Sequence, residues 1–122
     1  MNNAVGWFEI YVEDMDRAKA FYEAVFGVQL SKLEGTEIEM LAFPMRREGY
    51  GAAGALVKMP GFPTGANSIL VYFSCADCGV EAAKAQEAGG QIQKEKMSIG
   101  RYGFIAHVVD TEGNMIGLHS MR

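Results

Sequence analysis

The stretch Trp7-Phe8-Glu9-Ile10-Tyr11-Val12-Glu13-Asp14-Met15-Asp16-Arg17-Ala18-Lys19-Ala20-Phe21-Tyr22-Glu23-Ala24-Val25-Phe26-Gly27 decides the fold. Its first six residues alternate, with Phe8, Ile10 and Val12 on one face and Trp7, Glu9 and Tyr11 on the other. A period of two in aromatic and β-branched residues predicts a strand. Asp14 or Asp16 is placed to cap a helix, because a carboxylate there accepts from the free N–H groups of the first turn. Ala18, Phe21, Tyr22, Val25 and Phe26 then recur at helical spacing and form one apolar stripe. Gly27 supplies the left-handed residue that ends it.

Beyond Gly27, apolar segments such as Met40-Leu41-Ala42-Phe43 and Ala52 to Val57 are separated by turn residues, and three short strands fit between Val28 and Lys58. Met59-Pro60-Gly61-Phe62-Pro63-Thr64-Gly65 reads as a linker. The opening pattern then returns: Ile69 to Cys75 alternate, Asp77 precedes an alanine-rich helix from about Val80 to Ala88, and Gly89-Gly90 stop it. Strands are expected at Gln91 to Gln93, Phe104 to Val109 and Met115 to His119. An offset of 63 residues lays Asp14 on Asp77, Ala20 on Ala83, Gly27 on Gly90 and Gly54 on Gly117. Caps and helix stops coincide, so the chain reads as two β-α-β-β-β modules. The expectation is one α+β domain over 1–122, with module one at about 1–58, a linker at about 59–67 and module two at about 68–122. Its sheets should curl around a cleft, with a helix on the other face of each. Strand parity puts Trp7, Glu9, Tyr11, Leu70, Tyr72, Ser74, Met115, Gly117 and His119 on the cleft side.

The 122 residues are 49% hydrophobic and 21% charged, which argues against a disordered chain. No apolar run is long enough to span a membrane. The first six residues lack the basic and apolar regions of a signal peptide, so a cytoplasmic location is expected. Net charge is −4, from 11 basic and 15 acidic residues, and no basic stripe is present, which argues against a nucleic-acid partner. Cys75 and Cys78 form a C-A-D-C pair. With only His107 and His119 as further imidazoles, no four-ligand structural zinc site can be assembled from spacing. The cysteines read better as a strand end and a helix start than as a redox pair.

Phe8 to Gly27, Ala53 to Lys58 and Gly103 to Ser120 resemble the vicinal oxygen chelate superfamily, which holds glyoxalases, bleomycin-resistance proteins and extradiol dioxygenases. The resemblance runs over nearly the whole chain and implies homodimers whose cups are completed across subunits. Enzymes of the superfamily hold a divalent ion through His, Glu or Gln on cleft-facing strands. The positions resembling those ligand sites are Trp7, about Gly54, Leu70 and Gly117, and none has a side chain that binds metal. No metal and no cofactor is therefore expected. The implied function is the binding of an unidentified small molecule, as in the bleomycin-resistance branch.

The alternative is a metal-independent lyase or isomerase in which Glu9 and His119 form an acid–base pair. Equal parity on their strands predicts a buried Glu9 that bonds to His119 or Tyr72. The competing reading of that pair is a structural ion pair closing the cup. Trp7, Tyr11, Leu70, Tyr72, Met115 and Gly117 are the expected ligand-binding residues, though packing within a dimer cup accounts for the aromatic ones more simply. The facing of His107 is not settled by parity, and Gly100-Arg101-Tyr102-Gly103 reads as a surface turn.

Overall fold

The structure is a computed structural model that describes residues 3, 5, 7–67 and 69–122. Met1, Asn2, Ala4 and Gly6 of the segment read for a leader, and Ser68 at the expected start of module two, lie outside these residues. Strand β1 (Trp7–Tyr11), helix α1 (Met15–Phe26) and strands β2 (Ser31–Lys32), β3 (Glu39–Ala42) and β4 (Ala53–Lys58) come first. They are followed by β5 (Tyr72–Ser74), α2 (Cys78–Glu87), β6 (Gln91–Ser98), β7 (Phe104–Val109) and β8 (Met115–Ser120). The strands make two four-stranded sheets, ordered β1-β4-β3-β2 and β5-β8-β7-β6. In each, the first strand lies parallel to the last, and the other pairings are antiparallel. This is the expected α+β arrangement of two β-α-β-β-β units. The sheets are not closed, and β1 and β5 each keep one unpaired edge.

The helix signals act as read. Asp14 accepts from the Arg17 N–H at 3.0 Å, and Gly27 ends α1 at φ 64°. Asp77 caps α2 through the Gly79 N–H at 3.0 Å. The apolar stripe of α1 is buried, with Ala18, Phe21, Tyr22 and Val25 almost inaccessible. It packs with Ile10, Leu56, Ala106, Val108, Ile116 and Leu118 in one core that draws on both sheets. Phe8, Phe26, Phe43 and Phe73 border that core, and Phe26 stacks on Phe73 with ring centroids 4.5 Å apart. Burial of such rings, at roughly 25 cal/mol per Å² of apolar area, joins the halves as one packed unit.

Three boundaries differ from the pattern reading. The strand expected from Ile69 is paired only over Tyr72–Ser74, and Ile69 is 76% exposed. The second helix starts at Cys78, directly after its cap. Strand β6 runs on to Ser98 through mostly exposed residues, and two register shifts against β7 accommodate it. Hydrophobic alternation cannot find a strand whose side chains are largely solvated and whose pairing is supplied by its neighbour.

The offset that lays Gly54 on Gly117 is out of phase by one residue in space. Gly54 pairs with Phe8 on the core face, whereas Gly117 pairs with Tyr72 on the cleft face. A Cβ at Gly54 would overlap the Phe8 ring, and one at Gly117 would overlap the Tyr72 ring. Both glycines are needed for close approach of an aromatic ring, but on opposite faces.

Candidate functional site

Between the unpaired edges of β1 and β5 lies a groove of about 1420 Å³. Trp7 and Glu9 line it from the first sheet, and Leu70, Tyr72, Ser74 and His119 from the second. Core rings, among them Phe8, Phe26, Phe43 and Phe73, reach its floor. A cleft with an apolar and aromatic lining and a few polar groups is the usual form of a small-molecule site. Tyr11, Met115 and Gly117 do not line it, although Tyr11 shares the strand face of Glu9 and Gly117 supports the Tyr72 ring.

Glu9 overturns the expectation of burial. It is exposed, and its carboxylate accepts from the Trp7 indole N–H at 3.2 Å and from the Tyr11 hydroxyl at 2.8 Å. Neither His119 nor Tyr72 is its hydrogen-bond partner. The physical reason is that β1 is an edge strand beside an open groove, so the carboxylate stays hydrated. Donors two residues away on the same face are also nearer than any across the groove. The carboxylate acts back on the Tyr11 phenol: the hydrogen bond to Glu9, partial burial and the nearby negative charge raise its pKa. Tyr11 also packs on Phe62, with ring centroids 4.3 Å apart.

His119 donates from Nε2 to the Tyr102 carbonyl at 2.7 Å. A carbonyl only accepts, so this contact places a hydrogen on Nε2. The expected pairing between Glu9 and His119 is thus replaced by two separate sets of bonds, although both side chains line the same groove.

His107 is the residue that parity left open. It pairs in register with Gly117 on β8 and faces the cleft side of the second sheet, where its Nε2 lies 2.7 Å from the Tyr72 hydroxyl. Burial first, and then the Lys94 ammonium, hold its pKa below the ordinary imidazole value. The signal for this pair was in the sequence only as the absence of a side chain at Gly117, which lets the Tyr72 ring cross β8.

The cysteines do not form a reactive centre. Cys78 is buried at the start of α2, and burial, followed by the Glu81 charge, pushes the Cys75 thiol up to about 12. A thiol at that value is not a nucleophile near neutrality.

The positions that resemble the superfamily's ligand sites do not fit a divalent ion. Trp7, Leu70 and Gly117 offer no donor side chain, and Gly54 faces the core instead of the groove. Among the described residues, no three His, Cys, Asp or Glu side chains are grouped so as to hold a metal. Neither helix is long and apolar enough to cross a membrane.

The family model described as the Glyoxalase/Bleomycin resistance protein/Dioxygenase superfamily matches residues 4–118. A Mycobacterium tuberculosis protein named "Putative glyoxylase CFP32" is 36% identical over 112 residues, which is 88% of this chain and 40% of that protein. The chain therefore spans well under half the length of the curated relatives it matches. Among solved structures, TnmS3, an antibiotic binding protein from Streptomyces sp. CB03234, superposes with a TM-score of 0.69 and 27% identity, covering 99% of this chain and 98% of that one. A glyoxalase/bleomycin resistance protein from the same Streptomyces strain gives 0.68 and 28%, covering 94% and 98%. With a matching model over nearly all its residues and the same two-sheet architecture, the chain belongs to the glyoxalase/bleomycin resistance/dioxygenase superfamily.

Proposed function

We infer that this protein binds a small molecule in the groove between β1 and β5 and does so without a catalytic metal. The observation that carries this reading is the groove itself, which is large, aromatic and apolar, and which offers no set of metal-donor side chains. Its likeness to an antibiotic binding protein of the same length supports binding over turnover. A cytoplasmic homodimer is part of the reading. Two unpaired strand edges flank the groove, and Trp7, Ile69 and Tyr72 are 39%, 76% and 45% exposed beside it. Open edges and apolar side chains of this kind are what a second copy covers.

A screen of metabolites and aromatic natural products, read through the fluorescence of the single tryptophan, Trp7, tests the assignment. Saturable binding that is lost by fluorescence in Tyr72→Ala, and by calorimetry in Trp7→Ala, is the expected result, and absence of any ligand from such a screen would count against it. Elemental analysis of the untagged protein is expected to find no stoichiometric ion in the groove. Light scattering at micromolar concentration is expected to give twice the chain mass.

The second reading, a metal-independent lyase or isomerase using Glu9 and His119, is favoured by one observation. The two side chains line the groove from different sheets, so a ligand lying between them can touch both. Turnover of a bound compound that disappears in both Glu9→Gln and His119→Ala would favour it.

A further inference from the structure

The charged groups that line the groove are of one sign. Glu9 and Glu81 face it, together with the imidazole of His119, and no lysine or arginine is among the lining residues. Glu81 brings a buried Oε1 to the groove beside the Cys75 thiol, whose pKa its charge raises. Glu9 has donors but no counter-charge: Trp7 Nε1 and Tyr11 Oη each give one hydrogen bond, and no lysine or arginine of the described residues pairs with it. Its register partner on β4 is Ala55, and that of Trp7 is Ala53, so only methyl groups lie beside it on that strand. Two carboxylates in a cleft with apolar walls focus a negative potential that the remainder of this chain's lining does not cancel.

The aromatic neighbours make this potential selective. The Trp7 indole turns its N–H edge to the carboxylate and is 39% exposed, so a cation in the groove can approach the negative π face of the ring. Tyr11 holds the other carboxylate oxygen from the far side and fixes its orientation. A carboxylate held in place beside an indole face, over small side chains, suits a positive group that carries its own apolar body.

We propose that the groove selects an organic cation, with its ammonium or guanidinium group seated against Glu9 beside Trp7 and its apolar body along the aromatic lining. The assignment rests on the reading of the groove as a small-molecule site and names the chemical class that site takes. Anions are disfavoured by Glu9 and Glu81 together, and neutral aromatic compounds lose the Coulombic and cation–π part of the interaction.

The test uses three probes with a shared benzyl or phenyl body: benzyltrimethylammonium, benzyl alcohol and benzoate. Each is titrated into the wild-type protein, Glu9→Gln and Tyr11→Phe at fixed ionic strength, with Trp7 fluorescence as readout and calorimetry as a check. Benzyltrimethylammonium is expected to bind about tenfold more tightly than benzyl alcohol, with benzoate weakest. Glu9→Gln is expected to remove that preference while retaining benzyl alcohol binding, and Tyr11→Phe to reduce it about threefold. Added salt should weaken the cation alone. Glu9 is exposed, so unchanged circular dichroism of the variant separates a lost subsite from a lost fold. Equal affinity for cation and alcohol, or a preference that survives in Glu9→Gln, overturns the proposal while leaving the groove as a small-molecule site. If none of the probes binds but the wider screen finds a neutral ligand for the groove, only the proposal falls. Failure of both removes the small-molecule reading as well.

Discussion

The Tyr22 hydroxyl, on α1 of the first unit, donates at 2.7 Å to Oδ2 of Asp110, which opens the turn between β7 and β8 of the second. Both residues are buried, and the bond ties the two β-α-β-β-β units together at a point their apolar core does not specify. Asp110 Oδ1 accepts from the Glu112 and Asn114 N–H groups at 2.8 Å, and Asn114 in turn donates to the Tyr11 carbonyl at 2.9 Å. Burial, followed by the Asp110 charge, raises the Tyr22 pKa well above that of a free phenol. The turn Asp110-Thr111-Glu112-Gly113-Asn114 is therefore a polar clamp on the first strand and helix.

Tyr22→Phe removes the hydroxyl and leaves Asp110 Oδ2 with only the Asn114 side chain, at 3.3 Å. The expected cost is about 1–3 kcal/mol, the usual penalty for leaving a buried acceptor short of a donor. Urea unfolding measures it, with the slope unchanged because the ring still fills the core. A variant as stable as the wild type would show that the clamp contributes nothing net.

Glu112 accepts from the Glu13 and Asp14 N–H groups and pairs with the Arg17 guanidinium at 2.6 Å. Burial alone pushes its carboxyl up. The Arg17 side chain and the Asp14 and Glu13 N–H groups outweigh that effect and hold it at about 2, against an ordinary 4.5. A lowered carboxyl pKa contributes stability that is present above pH 4.5 and is lost as pH falls through about 2. Glu112→Gln is expected to cost about 2 kcal/mol at pH 7. It should also flatten the decline in stability between those pH values, as measured by thermal unfolding at a series of pH values. An acid limb identical to that of the wild type would rule out Glu112 as its source.

Gly117→Ala places a Cβ where the Tyr72 ring lies. The ring must swing away, breaking its 2.7 Å contact with His107 Nε2 and exposing the imidazole. Burial is the main reason the His107 pKa lies below 6.5, so the variant should move it back up toward that value. An NMR titration of the two histidines reads this directly. An unmoved His107 signal would mean the ring keeps its place.

Both thiols are expected to resist alkylation by iodoacetamide at pH 7.5 in the folded protein and to react fully in denaturant. Cys75 is held at about 12 by burial and the Glu81 charge, and Cys78 has no exposed surface. Rapid modification of either, read by mass spectrometry, would contradict these environments.

Much of this architecture was legible in local pattern. The Trp7 to Gly27 stretch specifies a strand, a capped helix and a left-handed stop because each depends on neighbours within a few residues. The recurrence of that pattern after the linker points to two similar units and to the α+β fold. Composition argued against a disordered chain and against a nucleic-acid partner. Of the residues that parity put on the cleft side, Trp7, Glu9, Leu70, Tyr72, Ser74 and His119 line one groove, whereas Tyr11, Met115 and Gly117 do not.

What parity could not supply was who bonds to whom. It placed Glu9 on the inner face but could not know that β1 is an edge strand, where water and the adjacent Trp7 and Tyr11 satisfy a carboxylate. The Tyr72–His107 contact depends on a ring crossing an intervening strand at a glycine, and the opposite facing of Gly54 and Gly117 on strand registers that no single segment encodes. The sequence by itself determined the elements and their faces, since backbone geometry gives strands and helices fixed periods. Tertiary structure alone decided the partners, because side chains distant in sequence meet only once sheet order and register have been set by burial of the common core.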